Sequence, residues 1–109
     1  MSLNIDIETG IENCGGMKDF YIEILDTYEE EGLRDELQRN YDDKNWELYT
    51  INVHSLKGTM RLIGAIDAGE LAEKLQFAGE AGDTATIDSF HNQLIEMMDE
   101  SIKLIREQL

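Results

Sequence analysis

The chain has 109 residues, which suits a single domain that can bury a core without a metal ion or a disulfide. It contains one cysteine, its longest apolar runs are far below the ~20 residues that cross a bilayer, and it opens without a secretory leader, so we expect a cytoplasmic protein. Its formal net charge of -15 argues against nucleic acid and membrane as partners, because both surfaces are themselves anionic.

The chain has no proline, and its apolar residues keep helical spacing almost throughout, which predicts an all-α protein. Residues 1–8 are predicted to form an arm, with an opening Met1-Ser2-Leu3 that resembles an expression scar, and residues 9–109 to form the domain. Thr9 and Glu12 have capping-box spacing, so a short helical turn is expected ahead of Gly15-Gly16.

Two helices are predicted before the middle of the chain. The apolar residues from Met17 to Tyr28, which include Phe20, recur at spacings of three and four up to Gly32, and this pattern indicates the first of them. From Leu33 apolar residues continue at four-residue steps into a polar break at residues 42–45, which predicts a shorter second helix.

The following helix is predicted from about Trp46 to Gly64, with Asp43 or Asn45 as its cap. Another is predicted from the Asp67-x-x-Glu70 capping pattern to Gly82, and a last long one from residues 83–84 to the end of the chain. Short connections favour antiparallel neighbours. The predicted fold is therefore an antiparallel up-down four-helix bundle with an additional N-terminal helix.

The helix after Trp46 carries the candidate chemistry. At about 100° per residue, His54 lies on the side opposite the apolar stripe, with Lys57, Gly58 and Arg61 on the same outward side. From residue 48 to residue 66 the chain has no Asp or Glu, where its composition would place about four. An accessible imidazole can attack phosphorus, nearby cations can stabilise the phosphoryl oxygens, and a glycine in mid-helix leaves room for a docking partner.

These residues resemble the core motif of histidine-containing phosphotransfer (HPt) domains. The segment His54-Ser55-Leu56-Lys57-Gly58 is similar to the His-x-Leu-Lys-Gly motif of that family, and Ile63-Gly64-Ala65 is similar to its trailing Gly-Ala. The similarity extends more loosely to Gly15-Gly16, to Asp43 and Trp46, and to Ala78 with Gly82-Asp83. The segment Thr59-Met60-Arg61-Leu62 departs from the small or polar residues of many relatives, so a role for Arg61 rests on geometry alone.

The resemblance implies a phosphorelay protein of two-component signal transduction. His54 would accept a phosphoryl group from the aspartate of one receiver domain and pass it to another, with Lys57 stabilising the phosphate, Gly58 giving steric clearance and Arg61 as an auxiliary cation. The implied partners are response-regulator receiver domains and a hybrid histidine kinase, and the chain would act as a monomeric phosphocarrier without turnover of its own. It would need no cofactor, because Mg²⁺ is expected on the receiver only.

Two alternatives stay open, and the sequence argues against a third. The open ones are the phosphoacceptor domain of a chemotaxis-type kinase, which would share both the fold and the histidine, and a non-catalytic four-helix adaptor. A di-iron bundle would need two Glu-x-x-His motifs. Only Asp88 to His91 approaches that spacing, and Ile51 stands three residues before His54. His91 is otherwise predicted to be an ordinary surface residue, and Cys14 a loop thiol.

Overall fold

The structure, a computed structural model, describes residues 3–109, and over that range the all-α prediction is confirmed. Met1 and Ser2, two of the three residues interpreted as a scar, lie outside the described residues. None of the helices in residues 3–109 combines the length and apolar character needed to cross a bilayer. The helices are α1 (Ile7–Asn13), α2 (Lys18–Glu31), α3 (Leu33–Asp42), α4 (Trp46–Leu62), α5 (Ile66–Ala81) and α6 (Thr84–Gln108).

Helix α1 begins earlier than its capping-box pattern predicts. Its cap is Asp6, whose carboxylate accepts hydrogen bonds from the Thr9 backbone N–H at 3.0 Å and the Thr9 hydroxyl at 2.7 Å. The prediction of Thr9 as the cap is wrong because an acceptor three residues upstream already serves the free N–H groups of the first turn. Cys14 follows the helix as its C-terminal cap, in the turn where the sequence predicts a loop thiol, and its side chain is buried.

Residues 4–6 of the predicted arm pair with the connection between α4 and α5. Ile5 forms an isolated antiparallel bridge with Ala65, and the Asp6 N–H donates to the Gly64 carbonyl at 2.8 Å. Gly64 has φ +84°, and a Cβ there would collide with the Asp6 carbonyl oxygen. The glycine of the Gly-Ala pair is therefore explained by its backbone conformation and by the close approach of the arm.

Side chains cap α4 and α6, and the cap of α4 is one of the two residues that the sequence predicts for it. Asn45 accepts a hydrogen bond from the Leu48 N–H at 3.2 Å to start α4, and Asp83 accepts from the Thr86 N–H at 3.1 Å to start α6. The predicted Asp67-x-x-Glu70 cap of α5 is wrong, since α5 has no side-chain cap. The Asp67 carboxylate instead accepts hydrogen bonds from the backbone N–H and the side-chain amide of Asn4 in the arm.

The core contains fewer residues of α2 than its apolar pattern predicts. Tyr21, Leu25 and Tyr28 are buried, and the Tyr21 hydroxyl donates to the Ile63 carbonyl at the end of α4 at 2.6 Å. Met17 and Phe20, at the start of the predicted stripe, are exposed. Only the strip of α2 centred on Tyr21 and Leu25 therefore faces the other helices.

Helices α4 and α5 pack most closely and carry the candidate site between them. A Cβ at Gly79 of α5 would collide with the side chain of Thr50 on α4, and a Cβ at Gly69 would lie 2.9 Å from Cγ of Arg61. The two glycines on one face of α5 thus permit the short distance to α4. Helix α6 packs on α5, and α3 packs on α4.

Candidate functional site

The four residues singled out from the sequence lie on the outer side of α4. His54, Gly58 and Arg61 are exposed and Lys57 is half-buried. The opposite side of the helix lies in the core, through Tyr49, Val53, Leu56 and Met60. The helical period therefore determines which side chains of this segment are available to a partner.

His54 is held through one ring nitrogen by a side chain of α5. Its Nδ1 lies 3.2 Å from Oε1 of Gln76, and Nε2 of Gln76 lies 2.8 Å from a carboxylate oxygen of Glu80. A carboxylate oxygen only accepts hydrogen bonds, so the Gln76 amide turns its NH₂ group to Glu80 and its carbonyl oxygen to His54. That oxygen also only accepts, and we therefore assign the proton to Nδ1 of His54, which leaves a lone pair on Nε2.

Gln76 is a candidate site residue that the sequence did not reveal. It lies 22 positions from His54, and no motif connects it to the histidine. The only signal available was the polar character of Glu73, Gln76 and Glu80, whose spacing places them on one face of α5. This pattern is shared by any solvated helix face, so only the packing of α5 on α4 identifies the contact.

The two cations near His54 differ in what surrounds them. A side-chain nitrogen of Arg61 lies 2.8 Å from a carboxylate oxygen of Glu73 on α5, so this charge is already paired. In residues 3–109 no carboxylate lies within ion-pair distance of the Lys57 ammonium group. Lys57, one turn from the histidine, is therefore the better placed of the two to receive an added anion.

Gly58 has no role in the packing of the described residues. A Cβ at this position would meet nothing within 4 Å, although glycine in mid-helix costs about 1 kcal/mol relative to alanine. Ile51, 55 % exposed, lies one turn before His54 on the same side of α4, and Phe77, 57 % exposed, follows Gln76 on α5. The helix thus leaves open space one turn after His54, at Gly58, and an exposed apolar side chain one turn before it, at Ile51.

His91 is not the surface residue that the sequence predicted. It is fully buried, with Nδ1 2.9 Å from the Tyr49 hydroxyl and Nε2 2.9 Å from Oε1 of Gln38, and its ring stacks on Tyr41 with centroids 3.9 Å apart. Burial lowers the pKa of His91 to about 4. The helical spacing places His91 on the buried side of α6, four residues after Ile87. The prediction of a surface residue is wrong because it follows the polarity of histidine and not this spacing.

Within residues 3–109, no group of three His, Cys, Asp or Glu side chains comes together in a way that could hold a metal ion. No protein-family model matches the chain, and neither the curated proteins nor the solved structures contain a significant match. The resemblance to HPt domains therefore stays a prediction that rests on the residues of the chain itself.

Proposed function

We propose that this protein is a histidine phosphocarrier of the HPt type, which receives a phosphoryl group on Nε2 of His54 and passes it to a receiver domain. The observation that carries the proposal is the environment of His54. The imidazole is exposed, its Nδ1 is held by Gln76 so that Nε2 keeps the lone pair, and Lys57 and the open position at Gly58 lie one turn along α4.

The proposed transfer uses His54 as its only nucleophile. The Nε2 lone pair attacks phosphorus in the aspartyl phosphate of the receiver, the N–P bond forms, and the P–O bond to the aspartate breaks with the carboxylate as leaving group. The Nδ1 proton stays in place, so the phosphorylated ring gains positive charge while it donates to the carbonyl oxygen of Gln76. Lys57 stabilises the negative phosphoryl oxygens, and Arg61 is a second cation only if it leaves Glu73.

The proposed fold is an antiparallel up-down bundle of α3, α4, α5 and α6, with α2 as the additional N-terminal helix. Two observations support it. The connections between these four helices are short, at residues 43–45, 63–65 and 82–83, and the three consecutive pairs are those that pack on each other. Tyr28 and Arg34 also reach Met98 and Asp99 on α6, so both α2 and α3 contact the last helix.

Receiver domains, including that of a hybrid histidine kinase, are the proposed partners. A receiver surrounds its reactive aspartate with further carboxylates that bind Mg²⁺, so an acidic surface around His54 would repel it. The chain has a net charge of -15, yet residues 48–66 contain no acidic side chain. On the α5 side of His54, Glu73 is paired with Arg61 and Glu80 accepts a hydrogen bond from Gln76. The lack of acidic side chains on the α4 side supports a partner with an acidic site and leaves Mg²⁺ to that partner.

The test is the transfer of label from a phosphorylated receiver domain to this protein in the presence of Mg²⁺. We expect one phosphoryl group per chain, located on His54 by fragment mapping, and none on His54→Gln. The bond is a phosphoramidate, so the label should be lost in acid and kept in alkali. Acid-labile label on His54→Gln would show that another residue accepts the phosphoryl group and would reject His54 as the acceptor. No label from any receiver or kinase domain tested would favour the non-catalytic adaptor.

Two arms separate the remaining possibilities. Label from an isolated ATP-binding kinase domain, with none from receivers, would identify the phosphoacceptor domain of a chemotaxis-type kinase. His91→Gln should take up label at His54, provided that circular dichroism shows it to be folded, since His91 lies in the core and its replacement changes packing.

A further inference from the structure

Both histidines of the chain are contacted by a glutamine that is itself held by an acidic residue four positions later. Gln38 contacts His91 and lies 3.0 Å from a carboxylate oxygen of Asp42, and Gln76 contacts His54 and lies 2.8 Å from a carboxylate oxygen of Glu80. In each case the amide nitrogen faces the acid and the amide oxygen faces the imidazole. The two pairs therefore share one arrangement on two different helices.

The acidic residue determines the orientation of the amide, and the amide determines which ring nitrogen carries the proton. A glutamine side chain can be turned by 180° with little change in shape, but only one orientation lets it donate to a carboxylate. At His91 the glutamine oxygen meets Nε2, and at His54 it meets Nδ1. The same arrangement thus assigns opposite tautomers, Nε2–H for the buried histidine and Nδ1–H for the exposed one.

We propose that Glu80 is a positioning residue that acts through Gln76 to keep His54 in the Nδ1–H tautomer. Its function in transfer rests on the proposed phosphocarrier role, because only this tautomer offers a lone pair at the outward Nε2. The selection of the tautomer itself rests on the hydrogen bonds alone. Glu80 does not touch the imidazole, and Gln76 is the only residue through which it would act.

The expected size of the effect follows from the exposure of the site. One hydrogen bond in contact with water contributes a modest net free energy, which corresponds to a roughly two- to tenfold change in the ratio of the tautomers. Without the Glu80 acceptor, the Gln76 amide is free to turn its NH₂ group to His54 and to favour the Nε2–H form. We therefore expect the ratio to move toward the Nε2–H form.

The experiment is imidazole ¹⁵N NMR of the full chain in alkaline buffer, where protonated and lone-pair nitrogens of a neutral ring have different chemical shifts. In wild type, Nε2 of His54 should show mainly the lone-pair shift, and Nε2 of His91 the protonated shift. In Glu80→Ala the chemical shifts of the two ring nitrogens of His54 should move toward each other, by the amount that corresponds to a two- to tenfold change in the tautomer ratio. The His91 signals should stay unchanged and report that the fold is intact.

Two further variants separate the hydrogen bond from the charge. Glu73→Ala removes the same charge from the same face of α5 and frees Arg61, but it leaves the contact between Gln76 and Glu80 in place, so the tautomer ratio of His54 should match wild type. Glu80→Gln removes the charge but keeps a carbonyl acceptor, so it should retain most of the preference. Unchanged His54 signals in Glu80→Ala, or equal shifts in Glu80→Gln and Glu80→Ala, would overturn the proposal.

The same variants distinguish this proposal from the phosphocarrier role. If the phosphocarrier role holds, Glu80→Ala should lower the transfer rate by no more than the fraction by which it lowers the population of the Nδ1–H tautomer. Glu73→Ala should not lower the rate. The NMR measurement needs no partner protein. A tautomer shift in a protein that no receiver labels would support the tautomer selection and reject the phosphocarrier role.

Discussion

The residues around each imidazole determine what that histidine can do. His91 has both ring nitrogens occupied inside the core, by Tyr49 and Gln38, so neither is open to a reagent in the folded protein. His54 has one nitrogen occupied by Gln76, and its ring is exposed. The chain therefore contains one histidine that is built into the structure and one that is available for chemistry.

Lys57→Ala is expected to slow phosphoryl transfer or to shorten the lifetime of the phosphohistidine. The loss of one charge-assisted hydrogen bond to the phosphoryl oxygens corresponds to about 1 to 3 kcal/mol, or roughly five- to 150-fold in rate. Both quantities can be measured by following radioactive label over time. Lys103→Ala, which removes an exposed lysine from α6, is the control and should match wild type. Equal rates and lifetimes for Lys57→Ala and wild type would contradict this role.

For single residues, the sequence predicts which side chains face outward when their spacing within one helix determines it. The outward side of α4, with His54, Lys57 and Gly58, follows from the period of 3.6 residues and is found in the structure. Gln76 could not be predicted, because its contact depends on the rotation of α5 against α4. The burial of His91 follows from its spacing, four residues after Ile87 on the buried side of α6, and not from its polarity.

Helices α4 and α5 show two uses of glycine, one toward solvent and one toward a neighbouring helix. At Gly58 of α4 a Cβ would meet no atom within 4 Å, whereas at Gly79 of α5 it would collide with Thr50. Packing explains the second glycine and does not explain the first. The structure thus separates a glycine required by the fold from one that leaves an outer surface free.

Gly58→Gln is expected to slow docking of a receiver while leaving the helix intact. The new side chain would occupy the space one turn from His54, and glutamine has a higher helix propensity than glycine. Phosphotransfer kinetics with a receiver domain measure the first effect, and circular dichroism measures the second. Transfer as fast as in wild type would mean that the partner does not approach over Gly58.

The pair Gly58→Ala and Gly79→Ala should change stability in opposite directions. Gly58→Ala is expected to raise the free energy of unfolding by about 1 kcal/mol, because it adds helix propensity without a clash. Gly79→Ala is expected to lower it by about 1 to 3 kcal/mol, because α4 and α5 must move apart around Thr50. Urea denaturation of the two variants and wild type measures both values. A stabilising Gly79→Ala would show that the interface can relax at no cost.

The helices themselves were largely predictable. The bounds of α2 to α6 lie within two residues of those expected from apolar spacing and from glycine stops. The start of α1 and the cap of α5 were not predictable, because both depend on the arm that pairs with the connection after α4. Local patterns therefore predict the helices, and contacts distant in sequence determine where a helix begins and which groups bind the free N–H groups of its first turn.

The whole molecule is expected to lose stability in mild acid through His91. Burial lowers the pKa of this histidine from 6.5 to about 4 in the folded protein, so the unfolded chain binds more protons between these values. The stability is fully present above about pH 6.5 and is lost as the pH falls toward 4. This loss amounts to about 3 kcal/mol for a shift of this size.

Urea denaturation at several pH values, with wild type beside His91→Gln, measures this contribution. His91→Gln should be less stable at neutral pH but should lose less of its stability on acidification, since glutamine does not titrate. Hydrogen bonds from Thr9 and Thr86 lower the pKa values of the cap residues Asp6 and Asp83, but both proteins share these groups. Parallel pH profiles would mean that His91 has the same pKa in the folded and in the unfolded chain.

The aromatic cluster beside His91 gives the protein its own optical reporter. Trp46 is the single tryptophan, and its ring lies 6.0 Å from that of Tyr41 and 5.9 Å from that of Tyr49, the two tyrosines that contact His91. It precedes His54 by eight positions on α4, about 12 Å along the helix axis. Tryptophan emission should therefore change when this end of the molecule unfolds and remain constant when a partner binds over His54, so that folding can be followed during a docking titration.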